Sequence, residues 1–357
     1  MKDLHGGNIY KFQRKGKNNI LDYSSNINPL GVPQKFIDIA KENFDKLVNY
    51  PDPYYIELRK KIAEFNSLNM DNIIVGNGAT EILFLYIRAL KPKKVLILAP
   101  CFAEYERALK SVSAKIEYFE LKESDNFYPN IINLKKEIEN NNYDLLLLCN
   151  PNNPTGQFIK LEDIKEIIET CENKNTKIFI DEAFIEFIEK WKEKTVSLLK
   201  NKNVFIMRAF TKFFAIPGLR LGYGIGFDDE ILKKMCEEKE PWTVNTFANL
   251  AGLIMLDDKE YIEKSEKWIL EEKKFMYKKL SEFQYIKAYK TECNFILIKL
   301  TNISSESLRE KMIEKNILIR DASNFKFLDY HFVRVAIKDR KSNLKMLETL
   351  AEFVEYK

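Results

Sequence analysis

Residues 204–223 put a lysine, Lys212, just past an apolar run from Val204 to Met207 that reads as a buried strand. Lys212 stands between Thr211 and the rings of Phe213 and Phe214, with Arg208 and Arg220 close in sequence. An ammonium buried beside arginines loses its proton more readily, and the free amine is a nucleophile toward a carbonyl carbon. Three further stretches carry polar groups of the right kind. After the short strand Ile73 to Val75 comes Gly76-Asn77-Gly78-Ala79-Thr80-Glu81, opening a helix, and small residues there leave backbone N–H groups available to a phosphate. The same stretch also reads as a plain strand-to-helix turn. Asn150-Pro151-Asn152-Asn153-Pro154-Thr155-Gly156 follows another strand, where the prolines can hold an asparagine amide toward a ligand oxygen or simply make a turn. Asp181-Glu182-Ala183-Phe184 places a carboxylate at a strand end, either as a helix cap or as the partner of a buried cation such as a protonated ring nitrogen.

Taken together, a lysine for an aldehyde, a carboxylate for a pyridinium nitrogen, and a glycine turn with Arg220 for a phosphate fit pyridoxal 5′-phosphate. The segments that must position these residues alternate between strand-like and helix-period stretches from about residue 56 onward. That is the pattern of a mostly parallel sheet covered by helices, in which ligands sit at the carboxyl ends of the strands. After Pro241-Trp242, a charged periodic segment from Asp257 to Phe283 reads as one or two long helices. The remainder alternates strands (Asn294 to Leu300, Ile317 to Arg320, Phe332 to Ile337) with helices (Ser305 to Lys315, Ser342 to Tyr356). The expected architecture is therefore α/β: a large domain over residues 46–255, and a small α+β domain over 256–357 together with residues 1–45 as an N-terminal arm. That arm is expected to lie against the small domain or a partner subunit.

Composition narrows the function classes. With 357 residues, 45% hydrophobic and 31% charged, the chain is long enough for two cores and is not of disordered type. A formal charge of +4 from 57 basic and 53 acidic residues, interspersed along the chain, argues against nucleic acid as the main partner. No apolar run approaches the ~20 residues of a membrane helix, and the first seven residues lack a signal-peptide core, so a cytoplasmic enzyme without a membrane partner is expected. The five cysteines have no CxxC spacing and only His5 and His331 supply imidazoles, which leaves no metal site in view.

The ordered set GNGATE (76–81), NPNNPTG (150–156), DEAF (181–184) and TK followed by PGLRLGY (217–223) resembles fold type I pyridoxal-phosphate enzymes, in the branch with histidinol-phosphate aminotransferases. HGGNIYKF (5–12), LDYSSNINPLG (21–31), YPDPYY (50–55), FAEYERAL (102–109), DEAFIEF (181–187), FTKFFAIPGLRLGY (210–223) and PWTVN (241–245) resemble the threonine-phosphate decarboxylase family of cobalamin biosynthesis more closely. The resemblance implies a seven-stranded, mostly parallel sheet in the large domain and a homodimer. It implies Lys212 as the cofactor lysine, Asp181 at the pyridine nitrogen, Asn153 at the ring's phenolic oxygen and Phe102 stacked on the ring. Gly78, Ala79, Thr80, Thr211 and Arg220 would meet the cofactor phosphate, with Tyr50 reaching in from the other subunit. His5, Gly6, Asn26, Asn153, Arg320 and Arg334 would hold a phosphorylated amino acid, since guanidiniums bind carboxylate or phosphate bidentately. Ala209 replaces a hydroxyl residue common among the relatives, and Phe184 replaces the tyrosine usual in the aminotransferases. The competing expectations are a histidinol-phosphate aminotransferase on the same cofactor and, from another class, a nucleotide-binding regulatory module built on the glycine turns.

Overall fold

A computed structural model describes residues 5–355, so the first four and last two residues of the expected domains lie outside it. Seven strands form the larger sheet: β1 (Ile73–Gly76), β2 (Lys94–Ala99), β3 (Lys115–Glu120), β4 (Leu145–Cys149), β5 (Lys177–Asp181), β6 (Val204–Ala209) and β7 (Gly222–Gly226). Their spatial order is β1-β7-β6-β5-β4-β2-β3. Only β7 runs against its neighbours, so the mostly parallel sheet expected from the sequence is present. The reason is compositional: β4, β6 and β7 are buried along their whole length, as strands covered by helices on both faces must be. Register brings the functional ends into step. Cys149 pairs with Asp181 and Asp181 with Met207, so the loops after β4, β5 and β6 emerge side by side.

The second sheet is antiparallel and has four strands, β8 (Ile286–Ala288), β9 (Phe295–Leu300), β10 (Arg320–Asp321) and β11 (Phe332–Ala336), in the order β10-β11-β9-β8. The single strand expected from Ile317 to Arg320 is divided. Ile317–Leu318 pairs in parallel with Leu21–Asp22 of the N-terminal segment, whereas Arg320–Asp321 pairs with β11. Sequence alternation sees one apolar run there; only the arrival of residues 21–22 from far along the chain splits it. The same pairing attaches the N-terminal segment to the second sheet's side of the molecule.

In chain order the two sheets are separated by one continuous 22-residue helix, Lys259–Leu280, which settles the expectation of one or two helices. It is roughly 33 Å long at 1.5 Å per residue. Asp258 caps its start by accepting from Tyr261 N, and a separate helix, Thr246–Met255, capped by Asn245, precedes it. Tyr23, fully buried, donates to Asn343 Oδ1 at 2.9 Å, tying the N-terminal segment to the last helix, Arg340–Ala351. No helix among the described residues is long and apolar enough to cross a membrane.

Candidate active site

A cavity of about 420 Å3 opens where the carboxyl ends of β4, β5 and β6 face the antiparallel sheet. The strand-end loops place their polar groups by local hydrogen bonding. The asparagine loop is fixed by Asn150, whose amide both donates to Ile159 O at 3.0 Å and accepts from Ile159 N at 2.7 Å. Asn152 donates to Pro100 O and Thr155 Oγ1. Gly156 turns the chain at φ +73°, in a spot where a Cβ would stand 2.1 Å from Thr291 Oγ1. With its neighbours pinned, Asn153 lines the cavity and accepts from Arg334 Nη1.

Asp181 lies at the cavity floor. Its carboxylate accepts from Tyr105 Oη at 2.6 Å and from Ala183 N at 2.8 Å. Burial nevertheless pushes its pKa up to about 6, against the pull of those two donors and of Lys212. A carboxyl in that state lacks a cation, and a protonated ring nitrogen would supply one. Behind it, Glu182 takes both Nε and Nη2 of the fully buried Arg208, at 3.0 and 2.7 Å. Thr195, Asn66 and Tyr223 accept the remaining guanidinium protons, so this ion pair is fully satisfied and locks the ends of β5 and β6.

Lys212 sits in the single-turn helix Phe210–Phe213 that follows β6. Burial first, then the charges of Arg334 and Arg220, bring its ammonium down to about 8, so a usable share of free amine exists near neutral pH. Ala79, Thr80, Thr211 and Arg220 line the cavity on this side. Gly78 stands behind them at φ +83°, where a Cβ would fall 2.4 Å from Arg220 Nη2. The helix Ala79–Leu90 begins immediately after, so its N-terminus and the Arg220 guanidinium face the same cavity, groups of the kind that suit a phosphate. Ala209 lines the cavity with a methyl group and no hydroxyl, as its sequence position implied.

The opposite wall holds Arg320 and Arg334. They are direct cross-strand partners on β10 and β11, both buried, and both line the cavity. Like charges facing each other across a sheet repel unless an anion lies between them. Arg334 donates to Ser24 O at 2.8 Å, while its Nε is buried without a partner among the described residues. Burial and the neighbouring Arg320 depress it to about 9. Arg320 donates to Asn324 Oδ1 at 2.8 Å and lies over the Phe325 ring. Asn26 is buried beside them with its Oδ1 unpartnered among the described residues. His5 and Gly6 also reach the cavity, and the His5 ring lies 5.5 Å from that of Phe102.

Thirteen of the residues expected from the sequence thus line one cavity, and Gly78 backs it. Tyr50 does not reach it within this chain: it is 80% exposed and packs on Trp242 at 4.9 Å. Sequence reasoning missed Tyr105 and Glu104. Tyr105 lies behind the cavity wall and acts through its hydroxyl on Asp181, a contact across 76 residues that the local sequence does not announce. Glu104 carried no local signal either, since its role depends on the remote His5.

A depressed lysine, a carboxyl in want of a cation, and a helix N-terminus beside an arginine fit pyridoxal 5′-phosphate, and they mark a candidate cofactor pocket on the larger sheet. The chain belongs to the family Aminotransferase class I and II, whose pattern matches residues 18–350, and pyridoxal 5′-phosphate is the cofactor of that family. Among relatives, a Caldanaerobacter subterraneus protein provisionally named threonine-phosphate decarboxylase is 45% identical, over 98% of this chain and 94% of its own length. The threonine-phosphate decarboxylase of Salmonella typhimurium is 34% identical, over 97% of this chain and 95% of its own. Among solved structures, the histidinol-phosphate aminotransferase from Clostridium acetobutylicum superposes with a TM-score of 0.87 at 38% identity, covering 93% of this chain and 98% of that one.

Proposed function

We propose that this protein decarboxylates O-phospho-L-threonine to (R)-1-amino-2-propanol phosphate, a reaction that serves cobalamin biosynthesis. The observation that carries the reading is the Arg320–Arg334 pair, two buried guanidiniums in direct register on one wall of the cavity. They suit a substrate bearing a carboxylate and a phosphate at once. The relatives named as threonine-phosphate decarboxylases support it, as does Phe184 lining the cavity without a hydroxyl.

Bound pyridoxal 5′-phosphate supplies an aldehyde for the Lys212 amine and a ring that takes up the electron pair left when carbon dioxide departs. The chain's own residues do the rest. Asp181, held by Tyr105, would pair with the protonated ring nitrogen of the cofactor, and Asn153, whose Oδ1 is engaged by Arg334, would offer its amide N–H to the phenolic oxygen. Gly78, Ala79, Thr80, Thr211 and Arg220 hold the cofactor phosphate. Arg320, Arg334, Asn26, His5 and Gly6 would bind the substrate's anionic ends and so fix how the substrate is presented to the cofactor, a positional use of remote binding energy. The Cα–carboxylate bond breaks, and a proton from Lys212 or from water takes its place.

Residues 46–255 serve as the cofactor domain, and the N-terminal and C-terminal parts together form the substrate side. The exposed apolar residues Phe44, Leu47, Val48, Tyr50, Tyr54 and Trp242 give a second copy of the chain a surface to cover. In such a homodimer Tyr50 reaches the cofactor phosphate of the other subunit.

Histidinol-phosphate aminotransferase is the second reading, favoured by the Clostridium acetobutylicum structure. Incubation with O-phospho-L-threonine alone separates the two. Carbon dioxide release without any 2-oxo acid is expected; turnover only with 2-oxoglutarate present would favour the aminotransferase.

A further inference from the structure

Glu104 and Asp181 are the only carboxylates lining the cavity among the described residues. Asp181 belongs to the cofactor side; the contacts of Glu104 lead elsewhere. Glu104 is the first residue of the helix Glu104–Lys110, and only 8% of its side chain is exposed. Its Oε1 accepts from His5 Nε2 at 2.8 Å, and Arg107 Nη1 lies 3.3 Å from both of its oxygens. A carboxylate can only accept, so the imidazole carries its proton on Nε2.

Just beyond His5 the chain is clamped a second time. A Cβ on Gly6 would stand 2.0 Å from Ser24 O, and Gly7 N donates to Ser24 Oγ at 2.8 Å. That same Ser24 carbonyl accepts from Arg334 Nη2, and Ser24 Oγ donates to Asp22 Oδ1 at 2.6 Å. Residues 5–7 are therefore held at one end beside Phe102 and at the other by the Ser24 hydroxyl, on the same residue whose carbonyl orients Arg334.

We infer that Glu104 is a positioning residue for the substrate: by holding His5 it anchors the N-terminal arm across the cavity, and through Gly6 and Ser24 it keeps Arg334 aimed at the substrate anion. The inference rests on the phosphoamino-acid reading above. The role is indirect, so its signature is coupling between Glu104 and His5, together with an effect on KM larger than that on kcat.

A double-mutant cycle over Glu104→Ala and His5→Ala, with Glu104→Gln as the conservative variant, tests this. Each single alanine variant should raise KM for O-phospho-L-threonine about 10-fold with kcat within about 3-fold, and the double variant should be no worse than either. Glu104→Gln should recover most of the loss, because its amide oxygen still accepts from the imidazole. Calorimetric binding of O-phospho-L-threonine to cofactor-free protein should show the same ratios. Additive losses, or a change confined to kcat, would overturn the role of Glu104. Glu104→Asp, which shortens the reach to His5 by one methylene, carries the test if Glu104→Ala misfolds; an unchanged KM there also overturns it. A wild type that neither binds nor decarboxylates O-phospho-L-threonine defeats the proposed function instead. The cycle is then read with inorganic phosphate on cofactor-free protein, where additivity again removes Glu104 from the arm.

Discussion

The two walls of the cavity both carry cations, yet they are assembled in opposite ways. On the seven-stranded side, Asn153, Asp181 and Lys212 each lie at or within four residues of the end of a buried parallel strand, so fixing the sheet fixes all three. On the four-stranded side, Arg334 takes its orientation from Ser24, 310 residues away in sequence, and from Asn153, 181 residues away. The first wall is a set of local motifs brought into step by strand register. The second is a set of isolated residues that mean nothing until the chain has folded. On the proposed function, the cofactor chemistry rests on the first wall and the recognition of substrate on the second.

If that division holds, damage to each wall has its own signature. Lys212→Ala should lower turnover on the order of 10^4-fold or more while the protein still takes up cofactor noncovalently, visible as absorbance retained after gel filtration. Substantial activity in this variant would remove the lysine from the chemistry. Arg334→Ala comes next. Losing one partner of a buried charge-assisted contact costs about 2–5 kcal/mol, so KM for the phosphoamino acid should rise about 30-fold or more. Cofactor affinity, followed by fluorescence titration, should change by less than about 10-fold. An equal loss of both would show that the walls are not separable, with Asn153 as the point of coupling.

The smallest effect concerns Asp181 and pH. Its folded-state pKa is raised to about 6, above the ordinary value of about 3.9. Between those values the folded, cofactor-free protein keeps a proton that the unfolded chain releases. This contribution to stability is therefore complete below about pH 4 and lost as the pH rises through 6. Asp181→Asn lacks the titration. Relative to wild type, the variant should gain up to about 2–3 kcal/mol on going from pH 4 to pH 7 in urea titrations. A difference independent of pH would mean that the carboxylate ionises in place at no cost, and the pull toward a ring cation would vanish with it.

The larger sheet was legible because buried parallel strands announce themselves as short apolar runs, and the glycine, asparagine, aspartate and lysine motifs sit directly at their ends. The short helix Phe210–Phe213 and the strand Ile286–Ala288 were not, since four and three residues carry too little periodicity to read. Tyr50 shows a different limit. Its expected place is in another copy of the chain, and here it simply packs on Trp242.

By itself the sequence determined the cofactor chemistry: a lysine, a carboxylate and a phosphate turn, each placed by strand-end grammar that operates over a few residues. Only the tertiary structure decided how Arg320 comes to oppose Arg334, that Tyr105 holds Asp181, and that Glu104 ties down His5. Those contacts join elements far apart in the chain, and their energies come from burial and from facing charges, which exist only once the two sheets have closed on the cavity.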